Sequence, residues 1–421
     1  MRASIQKSKL AGKVTAPSSK SYTIRGLIGA ALANGKSEII NPLGSDDTEA
    51  AIDVLQNIGV TILQDKDSWQ INGGNLQKPT GKLFCRESAA TLRFMTAICS
   101  LIHGQCQLTS APSLSKRPIK PLLQALQKLG ISCSYNEGEA KVTVNGGNIK
   151  GDTTELEGNI SSQFVSALLF ISPFADNGMK IRLTTPLESQ SYILMTLECL
   201  KTYGITVNHS PDLTEFETLK QHYKPARYQV EEDWSSASYL LAMGALCGNV
   251  EIQNLNQESL QGDKVILKFL QDMGASVTIG KNSITLSRSK LKAIKANLSE
   301  CIDLLPTVAV LAATAEGVSE FTGIERARLK ESNRVAAMKE GLNRMGVEVI
   351  EENDELTIKG CPIHGAIIDS KGDHRIAMAF SLLGLIAGET KIDGAECISK
   401  TYPDFWDILK GIGGKVKING K

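Results

Sequence analysis

Apolar positions recur at helical spacing ahead of six glycines. The phrase Leu-x-x-apolar-Gly occurs at 55–59, 126–130, 200–204, 270–274, 342–346 and 409–413, with glycine spacings of 71, 74, 70, 72 and 67. One match to so loose a phrase means little, but near-constant spacing over six marks an internal repeat. Before each glycine lies an amphipathic stretch; Ala51, Leu55 and Ile58, for example, share one helical face. The glycine then suits a left-handed helix-ending position. A β-rich run and polar turn residues follow, often with a second run. Residues 347–350 and 356–358, joined through Asp354, predict a hairpin, as do 277–279 and 284–286 around Gly280-Lys281-Asn282. A period near 70 is too long for a thin solenoid, so each copy is expected to be a small α/β module. Two domains of three modules is the economical arrangement, although the pattern alone does not fix the grouping.

Composition adds mainly exclusions. The 421 residues suggest about two or three domains. An apolar share of 42% and a charged share of 22% are ordinary globular values and argue against disorder. Lysine plus arginine (46) nearly balances aspartate plus glutamate (45), so no global field draws in nucleic acid or anionic lipid. Nine cysteines without a C-x-x-C pair read as reduced, mostly buried thiols of a cytoplasmic protein. The longest apolar candidate, around 376–388, is too short to span a membrane, and the N-terminus has no apolar signal core.

Any anion site must therefore be local, and charge placement points to one. Cations oppose the dipole at a helix N-terminus. Yet Lys20 and Ser21 open the expected helix running through Arg25, Arg117 precedes Pro118 at the expected start of another, and His374 and Arg375 follow Asp373 in a third. Lys400 stands just before Pro403, a favoured first-turn residue, and Arg93 follows a Ser88-Ala89-Ala90 helix start by about a turn. Each alone reads equally well as a solvated surface charge; as a set they suggest sites where backbone N–H groups and basic side chains converge on phosphate and carboxylate groups of a small ligand. Other motifs weaken on inspection. Gly35-Lys36-Ser37 lacks the upstream glycine of a phosphate-binding loop, where Ala30 stands, and reads as a glycine-capped helix end. His103 and Cys106 have no second ligand pair for a metal, and the sparse aromatics form no base-stacking platform.

Six segments carry a family resemblance. Pro17-Ser18-Ser19-Lys20-Ser21 with Arg25 resembles the opening signature of the EPSP synthases (3-phosphoshikimate 1-carboxyvinyltransferases). So do Lys116-Arg117-Pro118, Ser161-Ser162-Gln163, the run from Arg328 to Arg334, Asp373-His374-Arg375-Ile376-Ala377-Met378, and Lys400-Thr401-Tyr402-Pro403-Asp404. The resemblance implies two similar lobes, each of three βαβαββ units, an inverse α/β barrel with the active site in the interdomain cleft. The first lobe would span 19–230, and the second would combine 1–18 with 231–421. The implied reaction transfers the enolpyruvyl group of phosphoenolpyruvate to the 5-hydroxyl of shikimate 3-phosphate, through a tetrahedral intermediate that expels phosphate. It needs no cofactor and no metal. The implied partners are these two small molecules, not nucleic acid or membrane, and the implied state is a monomer.

Carried over by position, the resemblance assigns Lys20 to both substrates. Shikimate 3-phosphate would be held by Ser21, Arg25, Ser161, Ser162, Gln163, Ser189, Tyr192, Asp303 and Lys330. Phosphoenolpyruvate would meet Ala89, Arg117, Gln163, Arg334, Arg375 and Lys400. Asp303 would accept the 5-hydroxyl proton, and Glu331 would protonate the methylene carbon, with Lys20 a further participant in proton transfer. The chain departs from the family at 86–93, which reads Arg-Glu-Ser-Ala-Ala-Thr-Leu-Arg where many members read Gly-Asn-Ala-Gly-Thr-Ala-Met-Arg. Ala89 replaces the glycine lying against phosphoenolpyruvate, so poor inhibition by the longer glyphosate is expected. Glu87 puts a carboxylate near two anions. Asn333 stands where many members have aspartate, and Arg326 where some have asparagine. The competing readings are the enolpyruvyl transferase acting on UDP-N-acetylglucosamine, whose signature carries Lys-Asn where this chain has Lys20-Ser21, a catalytically silent relative, and an RNA 3′-phosphate cyclase.

Overall fold

The computed structural model describes residues 1–420. Each of the six repeated glycines ends a helix: Asp46–Asn57, Lys120–Lys128, Gln190–Thr202, Ile266–Asp272, Arg334–Arg344 and Phe405–Gly411. All six have positive φ, from +80° at Gly204 to +101° at Gly413, the left-handed region that glycine enters without steric cost. The hydrogen bonds explain the rest of the phrase. The N–H of the residue after each glycine reaches back to the carbonyl of the repeated leucine, as from Val60 to Leu55, Ile131 to Leu126 and Val347 to Leu342. The glycine N–H takes the carbonyl three residues earlier, as from Gly59 to Gln56. This is the Schellman arrangement, in which a leucine at the third residue from the helix end also packs against the apolar residue beyond the glycine.

Beyond each glycine the chain enters a sheet, and six four-stranded sheets share one plan. In the sheet from the second repeat, Leu83–Phe84 runs parallel to Gly104–Thr109, which pairs antiparallel with Lys141–Gly146, which pairs antiparallel with Ser132–Asn136. The two hairpins expected at 277–286 and 347–358 form in this way, pairing over 276–287 and 348–359. Three sheets are completed by distant segments. Arg2–Gln6 sits between Thr390–Asp393 and Lys415–Asn419, Leu10–Thr15 lies parallel to Gly248–Gln253, and Arg227–Gln229 lies parallel to Gly35–Ile40. The chain divides into two compact units, Ser18–Glu231 and Met1–Pro17 together with the chain from Glu232 onward.

A parallel pair needs a crossover, and in four of the sheets the crossover carries a helix. These are Ala89–Ile98 and Ser162–Ile171 in one unit and Leu305–Ala313 and His374–Ala387 in the other; Lys20–Leu32 and Trp234–Cys247 take the same place ahead of Gly35–Ile40 and Gly248–Gln253, whose parallel partners come from distant segments. These helices are apolar nearly all round, and every residue of Trp234–Cys247 and Leu305–Ala313 is buried. A helix without a polar face must lie inside, so each unit has three helices at its centre and strands with one exposed face around them. That is the inverse α/β barrel of the resemblance. No helix among the described residues is long and apolar enough to cross a membrane.

The central helices start with side chains that replace their missing N–H partners. Ser19, Ser88, Ser161, Asp233 and Asp373 are N-caps accepting from Tyr22, Thr91, Gln163, Ser236 and Arg375. The sixth helix, Leu305–Ala313, grows instead from the 3₁₀ turn Ile302–Leu304, which carries Asp303. Three expectations need correction. Gly35 opens the strand Gly35–Ile40 rather than capping the preceding helix, whose C-cap is Ala33. Arg117 lies in a loop ahead of Lys120–Lys128, because it is Pro121 that occupies the first turn. Lys400 ends the 3₁₀ helix Ala395–Lys400 rather than beginning a helix, since the next one starts only at Phe405, beyond Pro403.

Candidate active site

In the unit Ser18–Glu231, sequence-expected residues collect at the starts of the three central helices. Lys20 donates to Asp47 Oδ2 at 2.8 Å in a part-buried pair. Asp47 is in the first turn of Asp46–Asn57, behind a capping box made by Ser45 and Thr48. The hydroxyl of Thr91 reaches the Asp47 carbonyl at 3.4 Å, so the starts of two helices meet at this acid. Arg93 is buried and joins a third. Its Nη1 donates to Ser161 Oγ at 3.1 Å and to Gln163 Oε1 at 2.8 Å, its Nη2 donates to the Pro118 carbonyl at 2.9 Å, and its guanidinium lies 4.8 Å from the centroid of the Phe164 ring. Ser162 and Ala89 are the first residues of their helices, and Ala89 is buried.

Arg25 forms a second cluster. Its three guanidinium nitrogens donate to Thr196 Oγ1 at 2.9 Å and to the carbonyls of Ser21 and Tyr192, each at 3.0 Å. Phe94 and Tyr192 lie 5.6 and 5.7 Å from the guanidinium carbon, and burial pulls its pKa below the ordinary arginine value. Ser189 is buried at the start of Gln190–Thr202 with φ +57°, a strained backbone for a residue with a side chain. Arg117 lines an open hollow of about 570 Å³ with Lys116, Lys120, Tyr135 and Glu137.

In the other unit the centre is Arg334, the first residue of Arg334–Arg344 and 1% exposed. Its guanidinium donates to Asp303 Oδ1 at 2.6 Å, Glu331 Oε2 at 2.5 Å and Asp373 Oδ2 at 2.9 Å. Asp303 in turn faces Lys330 at 3.2 Å and Arg375 at 3.6 Å. Ser332 donates to Asp373 at 3.0 Å, and Lys400 donates to the Gly372 carbonyl at 2.9 Å. Asn333 caps the Arg334 helix by accepting from Ala336, so the departure from aspartate keeps a capping oxygen. Arg326 donates to the Ser299 carbonyl.

This cluster sets three carboxylates against three cations. Burial pushes the Asp303 carboxyl up, but Lys330, Arg375 and Arg334 outweigh it and hold the group well below the usual carboxylate range. Burial pulls Lys330 down to about 8, with the Arg334 charge adding to the effect against Asp303 and Glu331. Burial also acts against the Arg334 charge, but Asp373, Glu331 and Asp303 outweigh it and raise its pKa. Nearby in charge terms, Asp263 is buried, accepts a short hydrogen bond from Ser235, and is pushed up to about 6 by burial and then by the Asp303 charge.

The structure thus brings Lys20, Arg93, Ser161 and Gln163 into linked contacts, Ser21, Arg25 and Tyr192 into another set, and Asp303, Lys330, Glu331, Arg334 and Arg375 into a third. Sequence reasoning left four participants out of the candidate site. Arg93 and Asp373 were visible, one as a basic residue near a helix start and the other as the acid before His374. Asp47 and Asp263 were not, because nothing local distinguishes them from surface acids.

The model for the EPSP synthase (3-phosphoshikimate 1-carboxyvinyltransferase) family matches residues 5–409. A 3-phosphoshikimate 1-carboxyvinyltransferase from Dehalococcoides mccartyi is 50% identical over 418 residues, covering 99% of each chain. One from Methanocaldococcus jannaschii is 40% identical over 422 residues, covering 97% of each. Among solved structures, EPSP synthase from Acinetobacter baumannii superposes with a TM-score of 0.84 at 25% identity, covering 99% of this chain and all of that one. The enolpyruvyl transferase NikO from Streptomyces tendae, at 16% identity, shares the fold with a TM-score of 0.80 over 99% of this chain and 98% of that one. With the family model spanning residues 5–409 and relatives matching end to end, this chain belongs to the EPSP synthase family, whose reaction lies in the shikimate pathway of aromatic amino acid biosynthesis.

Proposed function

We propose that these side chains, most of them at helix starts and Arg117 and Lys400 outside them, divide the family's reaction between them. Ser21, Arg25, Ser161, Ser162, Gln163, Ser189 and Tyr192 hold shikimate 3-phosphate, with Lys330 and Asp303 on its ring side. Lys20, Arg117, Gln163, Arg334, Arg375 and Lys400 hold phosphoenolpyruvate, with Ala89 against it. Both ligands are polyanions, which gives the cations at helix starts a use that outweighs their conflict with the dipole.

Asp303 accepts the proton of the 5-hydroxyl as that oxygen bonds to C2 of phosphoenolpyruvate, while Glu331 delivers a proton to C3. Lys20 supports this proton transfer. The tetrahedral adduct then breaks its C2–O bond to phosphate, and loss of a C3 proton restores the double bond in the enol ether. An ionised carboxylate is a weak base toward a free alcohol, so the transfer accompanies the attack rather than preceding it. The observation that carries the reading is the Asp303 carboxylate, kept ionised by Lys330, Arg375 and Arg334 and positioned by hydrogen bonds.

The test is phosphate release from phosphoenolpyruvate with shikimate 3-phosphate or UDP-N-acetylglucosamine supplied separately, and product mass read in the same tubes. Turnover with shikimate 3-phosphate alone is expected; turnover only with the nucleotide sugar, or with neither, overturns the reading. Two finer properties follow. The chain works as a monomer, which sedimentation at assay concentration checks. Glyphosate inhibits poorly, because the Ala89 methyl occupies space that a glycine would leave to this longer molecule. Ala89→Gly is expected to lower the glyphosate inhibition constant against phosphoenolpyruvate, and equal sensitivity of the two proteins defeats the steric account.

A further inference from the structure

Arg86 and Glu87 immediately precede the N-cap of Ala89–Ile98, and both departures from the family pattern are tied to other segments. Arg86 has φ +49°, a conformation that residues with side chains seldom adopt. Its guanidinium is paired with Asp53 in Asp46–Asn57, the helix whose first turn supplies Asp47 to Lys20. Its carbonyl accepts from Ala111 N at 2.8 Å. Glu87 Oε1 accepts from Ser113 Oγ at 2.7 Å.

Ser113 belongs to the helical turn Pro112–Ser115, and Arg117 follows one residue later, after Lys116, its N–H donating to the Leu114 carbonyl at 3.0 Å. The next residue, Pro118, is held by Arg93 through its carbonyl at 2.9 Å. The stretch 111–118 is therefore fastened to 86–93 at both ends, with Arg117 beside the second fastening. A carboxylate beside an anion site is costly if it faces the anion, but one whose oxygen accepts from a neighbouring hydroxyl serves as an anchor.

We propose that Glu87 is a positioning residue for the reaction, anchoring the turn Pro112–Ser115 through Ser113 so that Arg117 is held in place for phosphoenolpyruvate. The proposal rests on the reading of Arg117 as a phosphoenolpyruvate ligand, and the experiment separates the two. Steady-state kinetics would be measured on full-length Glu87→Ala, Glu87→Gln, Ser113→Ala, the Glu87→Ala/Ser113→Ala double variant and Arg117→Ala, with thermal melts as a check on folding. Glu87→Ala is expected to raise the KM for phosphoenolpyruvate about three- to tenfold, the scale of one lost hydrogen bond to a charged group at a partly exposed site. The kcat and the KM for shikimate 3-phosphate should stay within about twofold, which a general loss of structure would not allow. Ser113→Ala should match it, the double variant should be no worse than either, and Glu87→Gln, which keeps an acceptor oxygen, should recover most of the loss. An unchanged or lowered KM in Glu87→Ala, or single effects that simply add, overturns the proposal. If Arg117→Ala leaves that KM unchanged while Glu87→Ala raises it, the reading of Arg117 falls, and with it this route.

Discussion

Arg334 holds three carboxylates with one guanidinium, and the remaining partners of those acids set how the cluster answers to pH. Lys330 is the titrating member. With its pKa pulled down by burial to about 8, it is charged at neutral pH and loses its proton as pH rises through that value. Asp303 then keeps Arg334 and Arg375, but the cluster loses one cation, which on the proposed function is one that holds shikimate 3-phosphate. The KM for shikimate 3-phosphate is expected to rise above about pH 8, and Lys330→Arg, whose charge persists, should flatten that rise in a pH series. Asp263 works in the opposite sense. Its folded-state pKa, pushed up to about 6 by burial and the Asp303 charge, lies above the ordinary carboxyl value. Its stabilising contribution is therefore complete below that ordinary value and is lost as pH rises through 6. Asp233 adds to the repulsion and Arg375 opposes it, while Ser235 keeps a hydrogen bond to the carboxylate. Asp263→Asn, which can still accept from Ser235, should melt higher than the natural chain at pH 7.5 by about 2–4 °C, roughly 1 kcal/mol for a unit of this size, and the difference should shrink as pH falls below 6 and close at about pH 4, the ordinary carboxyl value. Calorimetry at the two pH values checks this. Neither acid's environment was legible along the chain: Asp263 bonds Ser235 and Asp47 bonds Lys20 across 28 and 27 positions, with no periodicity to link them.

At the scale of elements, legibility was greatest where a local rule acts. Leu-x-x-apolar-Gly is visible because each part meets a backbone requirement of one helix end, and the spacing shows six such ends. Helix starts were less legible. Ser19, Ser88 and Asp373 stand as ordinary N-caps, but Arg117 and Lys400 were placed at helix starts through nearby prolines that instead lie outside the helices. A proline is tolerated in a first turn without requiring one. The glycine rule can be tested where nothing else interferes. At Gly274, φ is +82° and an added methyl group would meet only the Lys290 carbonyl, at 4.0 Å. Gly274→Ala should therefore cost only the backbone term, about 1–2 kcal/mol by urea titration. At Gly341 the same methyl would come 2.1 Å from the Phe380 ring, although this glycine is in the helical region. That position is glycine for packing, and no repeat in the sequence marks it.

For the whole molecule, the two units differ in how far each can be completed from a continuous piece of chain. Ser18–Glu231 contains every strand of its three sheets, including Arg227–Gln229, which closes the first of them, and its core is built entirely from residues 22–230. The other unit draws two strands from the first fifteen residues. Arg2–Gln6 occupies an interior place in its sheet, hydrogen-bonded on both sides, and Leu10–Thr15 supplies the parallel edge to Gly248–Gln253. Ala3, Ile5 and Leu10 are fully buried in that unit's core. Without them, Thr390–Asp393 and Lys415–Asn419 would face each other across a missing strand with backbone groups unpaired, and burying such groups is costly. The repeat pattern could not reveal this dependence, because its six copies look alike in sequence whether their strands are local or borrowed. A fragment of residues 18–231 is accordingly expected to unfold in urea as one cooperative transition. A fragment beginning at residue 232 should lack a cooperative transition by itself and gain one when a peptide of residues 1–17 is added, with a midpoint that rises with peptide concentration. A cooperative transition in the second fragment without the peptide would mean that its three central helices, apolar on every side, suffice to hold the remaining strands.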